Sequence, residues 1–93
     1  MNLPVNYNNI SPYKRKQVRE QYVIIQKGKC SHCKEPLSKK PSNDIMSKWI
    51  DKSLFPNGFF KYPIHLHHDH ITGMTIGAIH SICNAVLWQY HGE

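Results

Sequence analysis

Two neighbouring segments decide the fold of this chain: His65–His70, with the sequence HLHHDH, and His80–Asn84, with the sequence HSICN. Histidines alternate with apolar residues over residues 63–69, which predicts a strand. A Thr72-Gly73 pair predicts the following turn, and residues 74–79 predict a second short strand. From the HSICN segment onward, apolar residues recur at helical spacing. The expected order is therefore strand, strand, helix.

The three cysteines are spaced as metal ligands rather than as disulfide partners. Cys30 and Cys33 form a CxxC pair, and an odd cysteine count fits a metal site in a reducing compartment better than a disulfide framework. Cys83 supplies a third thiol, and His80 precedes it at HxxC spacing. Three sulfurs and one nitrogen are a common structural zinc set, so we expect these four residues to bind one zinc ion. His32 is a rival ligand, but its position inside the CxxC turn disfavours it.

Length and charge favour a small, metal-stabilised domain with an anionic partner. Ninety-three residues form a single domain, 1–93, with a small core, and such a chain often needs a structural metal. The net charge is +6, and all twelve lysines and arginines lie within residues 14–61, which favours nucleic acid. The candidate DNA contacts, for which the alternative is an ordinary solvated helix surface, are Lys14, Arg15, Lys16, Arg19, Lys27 and Lys29.

Nothing in the sequence indicates export or a membrane partner. The first ten residues are polar and rich in asparagine, without the apolar centre of a signal peptide. No stretch approaches the roughly 18 apolar residues that span a bilayer. We therefore expect a cytoplasmic protein.

The chain before the two histidine segments divides into four parts. Residues 1–11 predict an extended arm, and Ser11-Pro12 marks the start of a basic helix over residues 12–28. Residues 29–37 predict a zinc knuckle, and residues 38–63 predict a helical and aromatic insertion. The basic helix is expected to bury one face, formed by Val18, Tyr22 and Ile25.

The insertion combines a predicted helix with an aromatic turn. Ser42 or Asn43 is expected to cap the helix, whose apolar face consists of Met46, Trp49, Ile50 and Leu54. The turn that follows contains Phe55, Phe59 and Phe60. These rings either pack in the core, which we favour, or stack on nucleic-acid bases.

His67, His68 and Asn84 form a second candidate site, separate from the zinc ligands. Phosphodiester hydrolysis needs an activated water and charge relief on the leaving oxygen. A neutral imidazole suits the first task near pH 7, and a hard divalent cation such as Mg²⁺ suits the second. One imidazole and the Asn84 carbonyl could bind that cation, which leaves the other imidazole as the base. The alternative is a surface histidine tract with adventitious metal affinity.

Taken together, these motifs resemble the His-Asn-His (ββα-metal, or His-Me finger) nucleases, and more narrowly the phage recombination endonuclease VII family. The resemblance covers about residues 29–90 and includes TGMTIG at residues 72–77. It implies a small α+β fold in which a ββα-metal module, residues 64–91, is stapled by a structural zinc. It also implies that His68 is the general base, that His67 and Asn84 bind Mg²⁺ or another divalent metal, and that His70 assists at the phosphate.

The chain departs from the family pattern at several positions. His67 stands where the family usually has aspartate, which leaves the metal preference open, and His80 replaces a cysteine. Ile76 occupies a strand position commonly filled by arginine, so one phosphate contact is missing. The insertion over residues 38–63 is also longer than usual.

The sequence therefore predicts a metal-dependent DNA endonuclease that acts on branched DNA, on a specific duplex site or on any duplex. So short a chain leaves little room for base recognition by one protomer, and a homodimer that cuts both strands fits this limit. The alternative is a non-catalytic, zinc-stabilised nucleic-acid-binding module, which leaves the arrangement of His67, His68 and Asn84 unexplained. A thiol redox protein is disfavoured because no βαβ context surrounds the CxxC pair. The resemblance implies that the protein acts in the cytoplasm of a bacterial or phage-infected host cell.

Overall fold

The computed structural model of the chain describes residues 2–92 and has a small α+β architecture. Two strands pair as an antiparallel sheet, and helices pack against it. The elements, in chain order, are α1 (Pro12–Ile25), α2 (Asn43–Met46), β1 (Ile64–His68), β2 (Thr75–His80) and α3 (Ser81–His91). Short 3₁₀ turns cover Tyr7–Asn9 and Lys52–Leu54. The predicted α+β class and the order strand, strand, helix are confirmed.

The hairpin of β1 and β2 is irregular next to its turn. Leu66 pairs with Ala78, whereas His68 pairs with Thr75, so β2 carries one extra residue and the ladder contains a bulge. Asp69 closes the turn. Its Oδ1 accepts hydrogen bonds from the backbone N–H groups of Ile71, at 2.8 Å, and Thr72, at 2.9 Å. These bonds lower the pKa of the Asp69 carboxyl. Asp69 is therefore a turn residue, and the bulge sets the orientation of His68 at the strand end.

The core lies where α1, α3, the knuckle and the sheet meet. Val18 and Tyr22 of α1 are buried there as predicted, whereas Ile25 is 57% exposed, so that part of the prediction is wrong. The helix ends at Ile25 rather than at residue 28 because Lys27 and Gly28 both have positive φ values, 57° and 75°, which a right-handed helix cannot contain. Gln26 directly follows the last helical residue. Its side-chain amide donates to the backbone oxygen of Ala78 and accepts from the backbone nitrogen of the same residue, which ties the end of α1 to β2.

The N-terminal arm is paired with β2. Val5 and Thr75 exchange hydrogen bonds, and the Tyr7 backbone N–H donates to the Gly73 oxygen at 2.8 Å. Gly73 has φ +78°, and a Cβ there would lie 2.8 Å from Asn6 Oδ1. Only glycine therefore allows the arm to approach the hairpin turn this closely. The hydrogen bonds at Val5 and Tyr7 fix the arm to the hairpin and place Tyr7 at the end of β1.

The insertion does not form the long helix that was expected. Helix α2 covers four residues, with Ser42 as its N-cap and Ile45 as its buried side chain. The predicted apolar face is exposed at Trp49 (71%) and partly exposed at Met46 and Leu54. The expected helix does not form because side chains of α3 bind backbone groups of the insertion that would otherwise make the hydrogen bonds of that helix. Tyr90 and Gln89 donate to the Trp49 carbonyl, and Gln89 also accepts from the Asp51 N–H.

Within residues 2–92, none of the helices has the length and apolar character needed to cross a membrane.

Candidate functional site

Cys30, Cys33, His80 and Cys83 meet as predicted and form a cluster that could hold a metal ion such as zinc. Their ligand atoms all lie within 4.8 Å of one another, and in the part of the chain described this is the only such group of three or more. His80 Nδ1 lies 3.4 Å from Cys33 Sγ and 3.7 Å from Cys83 Sγ. Tetrahedral zinc with its usual bond lengths would separate a sulfur and a nitrogen ligand by about 3.5 Å. The spacing of the cluster therefore fits zinc.

His80 is oriented for metal binding by its other ring nitrogen. Nε2 lies 3.0 Å from the Pro36 oxygen and 2.9 Å from the Lys39 oxygen. Because carbonyl oxygens only accept, Nε2 carries the ring proton, and the lone pair of the neutral ring is on Nδ1, which faces the thiols. Such outer contacts commonly orient metal-binding histidines.

Among the three thiols, that of Cys30 is prepared to become a thiolate. The Cys83 thiol donates a hydrogen bond to Cys30, which lowers the pKa of Cys30 and raises that of Cys83. The His32 backbone N–H donates to Cys30 Sγ at 3.4 Å, while the His32 side chain is exposed and outside the cluster. The expectation that His32 is not a ligand agrees with this geometry.

A cleft of about 530 Å³ contains the second group of predicted site residues. It lies between β1, α1, α3 and the second half of the insertion. All four residues assigned to catalysis line it: His67, His68, His70 and Asn84. His67 is buried, with an exposed fraction of 8%.

Asn84 is oriented by a histidine for which the sequence predicted no role. The Asn84 side-chain amide Nδ2 lies 3.2 Å from His65 Nδ1, and His65 Nε2 lies 2.8 Å from the Phe59 oxygen. Nε2 therefore carries the proton and donates, and Nδ1 accepts from the amide. Burial lowers the pKa of His65 and keeps the ring neutral near pH 7, as this arrangement requires. The chain leaves Asn84 Oδ1 as the atom available to a cation.

His68 lies against the ring of Tyr7 from the N-terminal arm. The two rings are parallel within 5°, with centroids 3.9 Å apart, and the His70 ring is 5.0 Å from His68. Burial, followed by the charges of His70, His67 and Arg15, lowers the pKa of His68. His68 is therefore a neutral imidazole near pH 7, the form that can accept a proton.

The basic residues predicted to bind DNA fall into two groups. Arg15 and Arg19, one turn apart on α1, line the cleft, and the Arg15 guanidinium lies 3.8 Å from the Tyr7 ring centroid. Arg15 Nε also donates to the Tyr7 oxygen at 3.1 Å. The other four residues do not line the cleft: Lys14, Lys16, Lys27 and Lys29. None of the residues described along the cleft is an aspartate or a glutamate, so its fixed side-chain charge is positive.

Sequence reasoning missed the contributions of His65 and Tyr7. For His65 a signal existed, since it stands two positions before His67 and residues at i and i+2 share one side of a strand. No local pattern marks Tyr7, because its contact with His68 spans most of the chain. Phe55 and Phe59 also line the cleft rather than fill the core, which corrects the favoured interpretation.

Comparison of the chain with models of known protein families found no match. No curated protein and no solved structure matched it either. The fold and the site by themselves define the class of this protein: a small α+β domain with a Cys₃His cluster that could bind a metal such as zinc.

Proposed function

We propose that this chain is a metal-dependent DNA endonuclease that hydrolyses phosphodiester bonds, with zinc bound at the Cys₃His cluster. The observation that carries the proposal is the cleft that collects His67, His68 and Asn84 beside two arginines, with no carboxylate among the described residues that line it. A neutral base and a positively charged lining are what attack on a phosphodiester requires.

His68 has the role of general base. It accepts a proton from the water that attacks phosphorus, and the bond between phosphorus and the leaving oxygen breaks as the new P–O bond forms. Its lowered pKa keeps the ring ready to accept that proton near pH 7. Arg15 and Arg19 attract the phosphates, and His70 is close enough to His68 to contact the same phosphate group.

Asn84 Oδ1 and a ring nitrogen of His67 are the donors that this chain offers to a catalytic divalent metal. One oxygen and one nitrogen suit a cation that completes its coordination with water and substrate phosphate. When bound, such a cation relieves charge on the leaving oxygen. His65 and the Phe59 carbonyl keep the Asn84 amide turned so that its oxygen is the atom presented.

Replacing His68 tests the proposal. Purified wild-type protein and His68→Ala would be incubated with supercoiled plasmid and with a four-way junction, in Mg²⁺, Mn²⁺ or EDTA. We expect wild type to cut in the presence of a divalent metal and His68→Ala to lose at least about 100-fold in rate, the usual contribution of a positioned base. Preference for the junction would indicate branched DNA as the substrate.

The matched control is His91→Ala, which removes an exposed histidine at the end of α3, outside the cleft. It is expected to cut as fast as wild type. Cleavage by folded His68→Ala at the wild-type rate would contradict the proposal. DNA binding without cleavage in any metal, by protein that retains zinc, would favour the non-catalytic binding module instead.

A further inference from the structure

Part of the cleft takes no role in hydrolysis and is built from aromatic rings. Phe55 and Phe59 of the insertion and Trp88 of α3 line it, and we call these three residues the aromatic wall. The Phe55 ring centroid lies 4.7 Å from that of Phe59 and 5.5 Å from that of Trp88. Trp88 nevertheless keeps 42% of its surface exposed. A ring that is held by a neighbour and still partly exposed can stack on another flat ring.

The aromatic wall adjoins the proposed catalytic residues. Trp88 follows Asn84 by four positions on α3, so the two side chains lie on the same side of that helix. The Phe59 ring meets His65 edge-on at 4.7 Å, and His65 contacts Asn84. A ligand on the wall would therefore lie next to the cation-binding amide.

Charge and size restrict what that ligand can be. Arg15 and Arg19 line the same cleft, and the described lining contains no acidic side chain, so the ligand carries negative charge. A nucleotide has both parts, a flat base and a negatively charged phosphate, and it is the ligand that the proposed nuclease function brings to this cleft. The volume of about 530 Å³ is within the range of pockets that enclose small ligands. Bases within a duplex are stacked on one another, so only an unpaired base has a face to offer.

We propose that the aromatic wall stacks an unpaired nucleobase of a DNA strand whose phosphates lie at Arg15 and Arg19. This inference rests on the proposed nuclease function and names its substrate class: DNA with unpaired nucleotides at the site of cutting. Because stacking is tolerant of base identity, the wall selects strand structure rather than sequence.

Binding without cleavage tests this inference separately from catalysis. A fluorescein-labelled single strand, its fully paired duplex and the same strand with abasic nucleotides would be titrated with protein in the absence of added divalent metal. We expect the single strand to bind at least about tenfold more tightly than either the duplex or the abasic strand. Trp88→Ala should weaken binding of the single strand by about tenfold, and Trp88→Phe should retain most of it.

Trp49 provides the matched control, since it is 71% exposed and does not line the cleft. Trp49→Ala is expected to bind like wild type, and Trp49→Phe leaves Trp88 as the only indole, whose fluorescence should be quenched by the single strand. Equal affinity for duplex and single strand, or unchanged binding by folded Trp88→Ala, would overturn the inference. The His68→Ala cleavage experiment would still decide the nuclease function in that case.

Discussion

Asn84 and His67 show how single side chains set the proposed metal chemistry. The hydrogen bonds from Asn84 to His65 and from His65 to the Phe59 carbonyl leave one amide oxygen for a cation. His67 adds a nitrogen, whereas a carboxylate would add a second hard oxygen. Imidazole favours later transition metals such as Ni²⁺, whereas oxygen ligands suit Mg²⁺. The identity of residue 67 should therefore determine which metal supports cleavage best.

His67→Asp tests this directly. We expect wild type to cleave plasmid faster in Ni²⁺ than in Mg²⁺, and His67→Asp to shift the ratio of the two rates toward Mg²⁺ by about tenfold, because an oxygen donor replaces a nitrogen donor. Initial rates measured over a range of metal concentrations would show the shift. His91→Asp adds a carboxylate at a residue that does not line the cleft and should leave the ratio unchanged. An unchanged ratio in His67→Asp would mean that His67 does not bind the catalytic metal.

At the scale of elements, the N-terminal arm supports the end of β1. Its backbone pairs with Thr75 and Gly73, and Arg15 contacts both the carbonyl and the ring of Tyr7. Tyr7 in turn stacks on His68 at 3.9 Å. The arm and α1 together therefore restrict the orientation of the proposed base.

Tyr7→Ala is expected to lower the turnover number by about tenfold, with a smaller change in KM, because small misplacements of a catalytic group are costly. Tyr7→Phe keeps the stacked ring and should restore turnover. Cleavage kinetics would be combined with NMR spectra of the His68 ring protons, which the Tyr7 ring current is expected to shift upfield because the two rings are stacked. Full activity of Tyr7→Ala, together with unshifted His68 signals in wild type, would contradict a positioning role.

For the whole molecule, the Cys₃His cluster joins distant parts of a small chain. Cys33 and His80 are separated by 47 positions, and the cluster brings the knuckle onto the start of α3. A domain of this size has a stability of about 5–15 kcal/mol, and structural zinc can contribute about 10–16 kcal/mol in small zinc-binding peptides. The metal is thus expected to decide whether the fold persists.

We expect purified protein to contain one zinc ion per chain and to lose its cooperative thermal transition when a strong chelator removes the metal. Cys33→Ser should reduce both zinc content and thermal stability, whereas His32→Ala, with its exposed side chain outside the cluster, should change neither. Elemental analysis and thermal denaturation followed by circular dichroism would measure these effects. A fully cooperative, unshifted transition in the metal-free protein would show that the fold does not depend on zinc.

The sequence by itself determined the parts of this protein whose signals are local. The CxxC and HxxC spacings identified all four residues of the cluster, and alternation followed by helical spacing identified β1, β2 and α3 to within about a residue. Such patterns are readable because strand and helix periods depend only on backbone geometry. The same local logic brought His67, His68 and Asn84 into one predicted site.

Only the tertiary structure decided which distant segments complete the cleft. The Tyr7 ring stacks on that of His68, and only Arg15 and Arg19 of the six predicted DNA contacts line the cleft. A hydrogen bond from α3 to the Trp49 carbonyl prevents the insertion from forming a longer helix. Each of these outcomes depends on contacts between segments far apart in the chain, for which no periodicity exists. Long-range packing and hydrogen bonding override local propensity at such places, and here they assembled the aromatic wall beside the histidines.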